Sequence, residues 1–325
     1  MESQTIDQQW NHNLKPQPRL GIFGILRESF KTIKRNGKLL LPILVLVFLL
    51  FTHLEFAQTY LLAPVAKDLS SKLAANPNMF QDFGNKMHQA NYTGVIKDIR
   101  EVILVKLFMW IILSMITLFF LVATISSSYE AYTAKVIDFK EMIMKIKKSW
   151  KKPIVTSIYM TLISMGLFFV LSISFGMLSI FARNSLEYIS QGVFIFAILV
   201  LGIYICALWM MSLVVSVIEN VGGLKAIGRA RELMKGKKLQ ASLILVLFSI
   251  TYGVAVSFMA AVLSSCNLQN WSLLAISIPF SNGLLCALKL LAYVVFTIFY
   301  HERKESFDEK ETKGQYVPIV TDEVV

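Results

Sequence analysis

The chain has 325 residues, 55% of them hydrophobic and only 16% charged, with a mean hydropathy of +0.60. Soluble chains run at about 45–50% apolar and about 25% charged residues, so disorder over the whole length is excluded and a soluble enzyme would leave too much apolar surface in water. The net charge of +11 would suit nucleic acid on a soluble surface, but in a membrane protein basic residues mark the cytoplasmic side, so no nucleic-acid partner is expected.

In chain order, residues 1–18 are polar, carry Pro16 and Pro18, and read as a disordered N-terminus. Residues 20–36 then form an amphipathic stretch. Ile22, Leu26, Phe30 and Ile33 follow helical spacing, with Arg27, Glu28, Lys31, Lys34 and Arg35 over much of the opposite face. The first span follows at about Leu39–Leu62. The loop 63–101 is long for a hairpin connector and is expected to form short helices or a small external cap.

The second span covers about Val102–Ser126. A second basic stretch, near 129–151, alternates Phe139, Ile143, Ile146 and Trp150 with Lys140, Lys145, Lys147, Lys148 and Lys151. Spans at about Ile154–Phe181 and Val193–Ile218 come next. Near 223–236, Leu224, Ile227 and Leu233 are expected to face away from Lys225, Arg229, Glu232 and Lys235, with Lys237 and Lys238 just beyond. Gly222-Gly223 breaks the fourth span and Gly236 stops the helix. The last two spans are about Ala241–Ser265 and Trp271–Tyr300, each close to the ~20 apolar residues that cross a ~30 Å hydrocarbon core. Residues 301–325 read as a solvated acidic tail, with Tyr316, Pro318 and Ile319 a candidate docking motif for a protein partner.

The fold class is therefore all-α: a polytopic membrane protein of six transmembrane helices within residues 19–300. Lysine and arginine number 24 in the segments flanking the odd-numbered spans on one side and in the tail, against 6 in the alternate loops, which places both termini in the cytoplasm. Two sequons, at Asn91 and Asn270, fall on the predicted outer side, and Asn91 is the candidate glycosylation site. They favour the endoplasmic reticulum or plasma membrane. Each basic stretch precedes a hairpin of two spans, so the chain reads as three parallel repeats of interfacial helix plus hairpin.

The stretches Glu219–Ala226 and Arg229–Lys237 resemble a signature in the membrane domain attached to some bacterial glycerophosphodiester phosphodiesterases. The fuller pattern is similar to a plant family of uncharacterised six-span proteins, through Gly21–Ser29, Ser126–Tyr132 and Tyr316-Val317-Pro318. The resemblance implies a six-span topology and no chemistry. The phosphodiesterase activity belongs to a separate soluble barrel for which this chain has no room.

No catalytic constellation is present. The cysteines Cys206, Cys266 and Cys286 and the histidines His12, His53, His88 and His301 have no metal-ligand or redox spacing, and there is no nucleophile elbow, Walker loop or dinucleotide fingerprint. No enzyme activity, cofactor or metal is expected. Lys289 falls near the middle of the sixth span, where a lysine costs about 2.5–3.5 kcal/mol on insertion scales; it reads either as a ligand in a polar cavity or as a lysine that snorkels. Pro279 with Ser281-Asn282-Gly283 marks a kink, or a break whose carbonyls could hold an ion. Glu55 and Lys106, at similar depth, are expected to pair, whereas His53 and Glu55 do not face each other on a helix.

Two functional readings result. In the first, Lys31, Lys34, Arg35, Lys145, Lys147, Lys148, Lys235, Lys237 and Lys238 bind anionic lipid headgroups, and the protein organises membrane lipid without catalysis. In the second, Lys289, Asn282, Glu55 and Lys106 form the site of a transporter or channel for a small solute, anions among the candidates.

Overall fold

A computed structural model describes residues 21–75, 89–133, 144, 147, 149–181, 185–265 and 271–315. Eight helices are present among them: α1 (Ile22–Arg35), α2 (Gly37–Ala75), α3 (Gln89–Tyr132), α4 (Lys151–Phe181), α5 (Ser185–Ile218), α6 (Leu224–Leu233), α7 (Lys238–Ser265) and α8 (Trp271–Gln315). There is no strand among the described residues. Six helices contain segments long and apolar enough to cross a membrane: Gly37–Lys72, Val95–Tyr132, Lys151–Met177, Gln191–Ile218, Lys238–Phe258 and Ala275–Asp308. The protein is a multi-pass membrane protein, as its composition requires. The N-terminal stretch 1–18, Lys145, Lys148, Asn270, Cys266 and the motif at Tyr316 lie outside the described residues.

The helices form two layers with a repeating contact scheme. The second span of each hairpin is inner: α3, α5 and α8 touch one another pairwise. The first spans are outer, each touching its own partner and the inner helix of the preceding hairpin: α2 on α3 and α8, α4 on α5 and α3, α7 on α8 and α5. The short helices follow the same rule, α6 packing on α5 and α1 on α8. The first element of the chain thus closes a ring onto its last span.

The core sits at the end of the bundle where α1 and α6 lie. Phe120–Ile125 of α3, Ala207, Met211 and Val214–Ser216 of α5, and Tyr293–Tyr300 of α8 are buried there, with Leu40, Ile43 and Val47 of α2. Further along, the spans expose Phe168, Phe169, Phe196 and Phe258, the surface expected of helices that face hydrocarbon and not one another.

Residues 63–75 and 89–101 continue the spans as helix and do not form separate short helices, while 76–88 lie outside the described residues. Helix α2 continues to Ala75 and α3 begins at Gln89, so each runs well past the ~30 Å that a span requires. The overhanging ends are joined by Lys72, whose Nζ is 2.6 Å from Asp98 and 2.7 Å from Asp68. The sixth span also differs from expectation. Helix α8 is unbroken through Pro279 and Asn282 and continues to Gln315, so no discontinuity exposes carbonyls there. The first part of the acidic tail is helical and packed, because Tyr300, Arg303 and Phe307 recur at helical spacing and meet α6 and its flanks.

Local sequence explains the turn between α5 and α6. Asn220 and Gly223 both have positive φ, 53° and 66°, and the Gly223 N–H donates to Thr156 Oγ1 at 2.9 Å. A Cβ at Gly223 would lie 3.2 Å from Tyr159 Cε2, and its ψ of −141° belongs to a region that glycine almost alone adopts. Gly223→Ala is therefore expected to destabilise by about 2 kcal/mol, read as a lower melting temperature in detergent; an unchanged melting temperature would show that the turn relaxes freely. Gly236, with φ 82°, reverses the chain into α7. Pro153 occupies the first turn of α4, where its missing N–H has no helical partner to lose.

Candidate functional site

Helix α1 is amphipathic in three arcs, not two. Ile25, Ser29 and Thr32 form the buried ridge, with Ile22, Leu26 and Ile33 packed beside it. Next around the helix stand Phe23, 88% exposed, and Phe30, 59% exposed. Then come the exposed Arg27, Lys31, Lys34 and Arg35. Phe30 therefore leaves the packed face on which helical spacing alone had placed it. The ridge uses small residues because α1 lies close against α8 and α3, and small side chains permit that approach. Ser29 Oγ bonds back to Ile25 O at 2.7 Å, so its hydroxyl is buried without loss. Asn36 anchors the end of α1, its Nδ2 donating to Ser127 O at 3.0 Å and Ser127 Oγ at 2.8 Å.

Helix α6 follows the same plan. Ala226, Ala230 and Leu233 are buried, while Leu224 is 61% exposed and turns away from the face it was expected to share with Leu233. Arg229 turns inward: its Nε is 3.6 Å from Glu219 Oε2 and its guanidinium carbon is 4.9 Å above the Phe307 ring. Tyr300 Oη donates to Glu219 Oε1 at 2.7 Å. Arg303 closes the far end, donating from Nε to Leu233 O and from Nη2 to Lys235 O, both at 2.9 Å. The Leu233 carbonyl carries the negative end of the α6 dipole and the Lys235 carbonyl lies in the turn just beyond, so a guanidinium is the appropriate cap. Lys235 and Lys238 are exposed and Lys237 half-buried; Lys238 Nζ lies 5.5 Å from the Tyr204 ring centre. Between the second and third spans, Lys147 is exposed. The basic residues thus lie outward on docked α1 and on the turn that leads from docked α6 into α7, with Lys147 between the second and third spans.

The intramembrane residues fall on α2, α3 and α8. Asn282 Nδ2 donates to Glu55 Oε2 at 2.7 Å. Among the described ion pairs none joins Glu55 to Lys106: α8 packs on α2 and brings the Asn282 amide to the carboxylate, while Lys106 is exposed on α3. His53 turns to its own helix, with Nδ1 2.7 Å from Leu49 O. Lys289 lies with Nζ 4.9 Å from the Phe51 ring centre, one turn from buried Cys286. No ion pair involving Lys289 occurs among the described residues. A cation over an aromatic face gains about 0.5–2 kcal/mol, less than the ~2.5–3.5 kcal/mol insertion cost of a central lysine. Lys289→Met is therefore expected to raise the melting temperature in lipid nanodiscs, and a fall would assign the ammonium a structural partnership stronger than the ring contact. Asn91 lies in the first turns of α3. No group of three or more histidine, cysteine, aspartate or glutamate residues that could hold a metal ion occurs among the described residues.

Sequence spacing did not disclose Arg229 and Tyr300 as the partners of Glu219, nor the part played by Arg303. A signal existed in the spacing of Tyr300, Arg303 and Phe307, but it lay inside a segment whose acidity suggested solvent.

Residues 13–316 match the family described as a domain of unknown function, DUF8558, and the chain belongs to that family. No curated protein and no solved structure matches the chain. The suggested links to a plant family and to the phosphodiesterase membrane domain find no support in these comparisons.

Proposed function

We propose that this DUF8558 protein is a non-enzymatic organiser of membrane lipid, whose docked helices α1 and α6 gather anionic headgroups on the cytoplasmic face. The observation that carries this reading is the three-arc surface of α1. Its packed ridge fixes the helix to the bundle, Phe23 and Phe30 are free to enter the acyl boundary, and the adjoining arc offers Arg27, Lys31, Lys34 and Arg35 at headgroup level. A helix with an apolar flank and a basic flank lies in the interfacial plane, and each base there gains about 1 kcal/mol from an anionic leaflet. On α6, the turn after it and the start of α7, Leu224 and Leu239 supply the exposed apolar side chains and Lys235, Lys237 and Lys238 the charge. Lys145, Lys147 and Lys148 extend the same character between the second and third spans. The excess of basic residues supports a cytoplasmic side there, and the sequons support an endoplasmic reticulum or plasma membrane.

The test is lipid selection by the full chain. Reconstituted in nanodiscs of phosphatidylcholine with a minor share of phosphatidylserine, the protein is expected to retain phosphatidylserine preferentially under native mass spectrometry. Retention in proportion to the bulk mixture would overturn the reading. Replacing Phe23 and Phe30 by serine is expected to weaken that preference while leaving the ridge at Ile25, Ser29 and Thr32 in place.

A further inference from the structure

A groove of about 640 Å³ runs over α5 between α4 and α7, open on its outer side. Its size lies in the range of small-molecule sites. No carboxylate, ammonium or guanidinium lines it, so an anionic headgroup finds no counter-charge inside. Its polar groups are instead Ser157, Thr161 and Ser164 along one line of α4, Cys206 of α5 and Ser249 of α7, with the Trp209 indole beside them.

The hydroxyls have a defined polarity. Thr161 Oγ1 donates to Ser157 O at 2.9 Å and Ser164 Oγ to Met160 O at 2.8 Å. With their protons used inside the helix, both oxygens meet the groove as acceptors, which calls for a ligand carrying a donor. The indole N–H, a donor only, calls for an acceptor. The remaining lining is apolar and includes Met160 and Met210, flexible side chains that adapt to a flexible ligand better than to a rigid one. A groove that opens sideways from two spans is filled from the bilayer.

We propose that this groove is a binding site for an uncharged lipid with a free hydroxyl, diacylglycerol, whose hydroxyl donates to Thr161 or Ser164, whose ester carbonyls accept from Trp209, and whose chains lie along α5. The site does not depend on the basic helices, and headgroup selection by α1 and α6 can fail while this site stands.

The test uses the full chain in phosphatidylcholine nanodiscs with a photoactivatable diacylglycerol, a phosphatidylcholine carrying the same chains, and a photoactivatable sterol. Crosslinks to the α4 and α5 peptides that line the groove are read by mass spectrometry. Diacylglycerol is expected to label them about fivefold more than phosphatidylcholine, the ratio that one well-made hydrogen bond supplies. Two variants should lower that labelling to the phosphatidylcholine level. Ser157→Ala with Thr161→Val and Ser164→Ala removes the acceptors without touching an interhelical bond. Gly202→Leu fills the groove, since a Cβ at Gly202 meets nothing within 4 Å. Equal labelling by the two glycerolipids, or labelling that survives both variants, would overturn the site; preferential labelling by the sterol would overturn diacylglycerol as its occupant.

Discussion

Arg303→Ala is expected to lower the melting temperature of the purified protein by roughly 5–10 °C, the shift that about 3 kcal/mol produces in a chain of a few hundred residues. Arg303 is 8% exposed and its guanidinium holds the last carbonyl of α6 and that of Lys235 just beyond through two bonds of 2.9 Å. Hydrogen bonds to a charged group contribute about 1.5–3 kcal/mol each, and truncation leaves both carbonyls to find water at a buried seam. The loss should be local first. Amide exchange in α6 should accelerate before that in α3 or α5, because the other attachments of α6, Arg229 to Glu219 and the Gly223 N–H to Thr156, hold only its beginning and middle. Arg303→Lys restores the charge but cannot span both carbonyls with one fork, so it should recover part of the stability. A melting temperature within a degree of the parent would show that α6 is held by its ridge alone.

The second large effect concerns lipid. Replacing Lys31, Lys34, Arg35, Lys235, Lys237 and Lys238 by glutamine is expected to abolish the preference for phosphatidylserine. Six charges at about 1 kcal/mol each set an upper bound of about 6 kcal/mol, reduced by screening and by the pairing of Lys31 with Glu28 at 3.4 Å. A tenfold or larger fall in relative retention is the expected reading. All but Lys237 are exposed, so the melting temperature should change little, which separates loss of binding from loss of fold. Wild-type preference should also decline as ionic strength rises, since a headgroup contact is screened within a Debye length. Unaltered retention by the six-residue variant would remove the basic helices from the account of function.

Much of the fold was legible because bilayer thickness and backbone hydrogen bonding leave little choice: a run such as Ile154–Phe181 can only be a span. Gly222-Gly223 and Gly236 marked the limits of α6 for the same kind of reason, a backbone demand that glycine meets. What periodicity could not disclose was which neighbour each face would meet. On α1 it grouped Phe30 with Ile22 and Ile33, because hydrophobicity ranks phenylalanine above serine. The ridge that docks is Ile25, Ser29 and Thr32, chosen by size and close approach, to which hydropathy is blind. Likewise Glu55 and Lys106 were matched by depth, a coordinate along the helix, whereas Asn282 reached the carboxylate through helix rotation, which depth does not contain. The groove over α5 was invisible for a similar reason: Ser157, Thr161 and Ser164 are ordinary in a membrane helix, and only the placement of α7 gives them a common space.

The ring closure between α1 and α8 has a consequence for biogenesis. Helix α1 leaves the ribosome well before α8, which makes the larger part of the surface that receives it. Until α8 has entered the bilayer, Ile25 and its neighbours lack most of their seat, with only α2 and α3 to meet, and the inner helices α3 and α5 lack the third member that completes their packing. Docking of α1 is thus gated by the synthesis of α8. A ribosome stalled before α8 would leave this amphipathic helix incompletely docked at the membrane surface, a form that differs from the assembled bundle by that one helix.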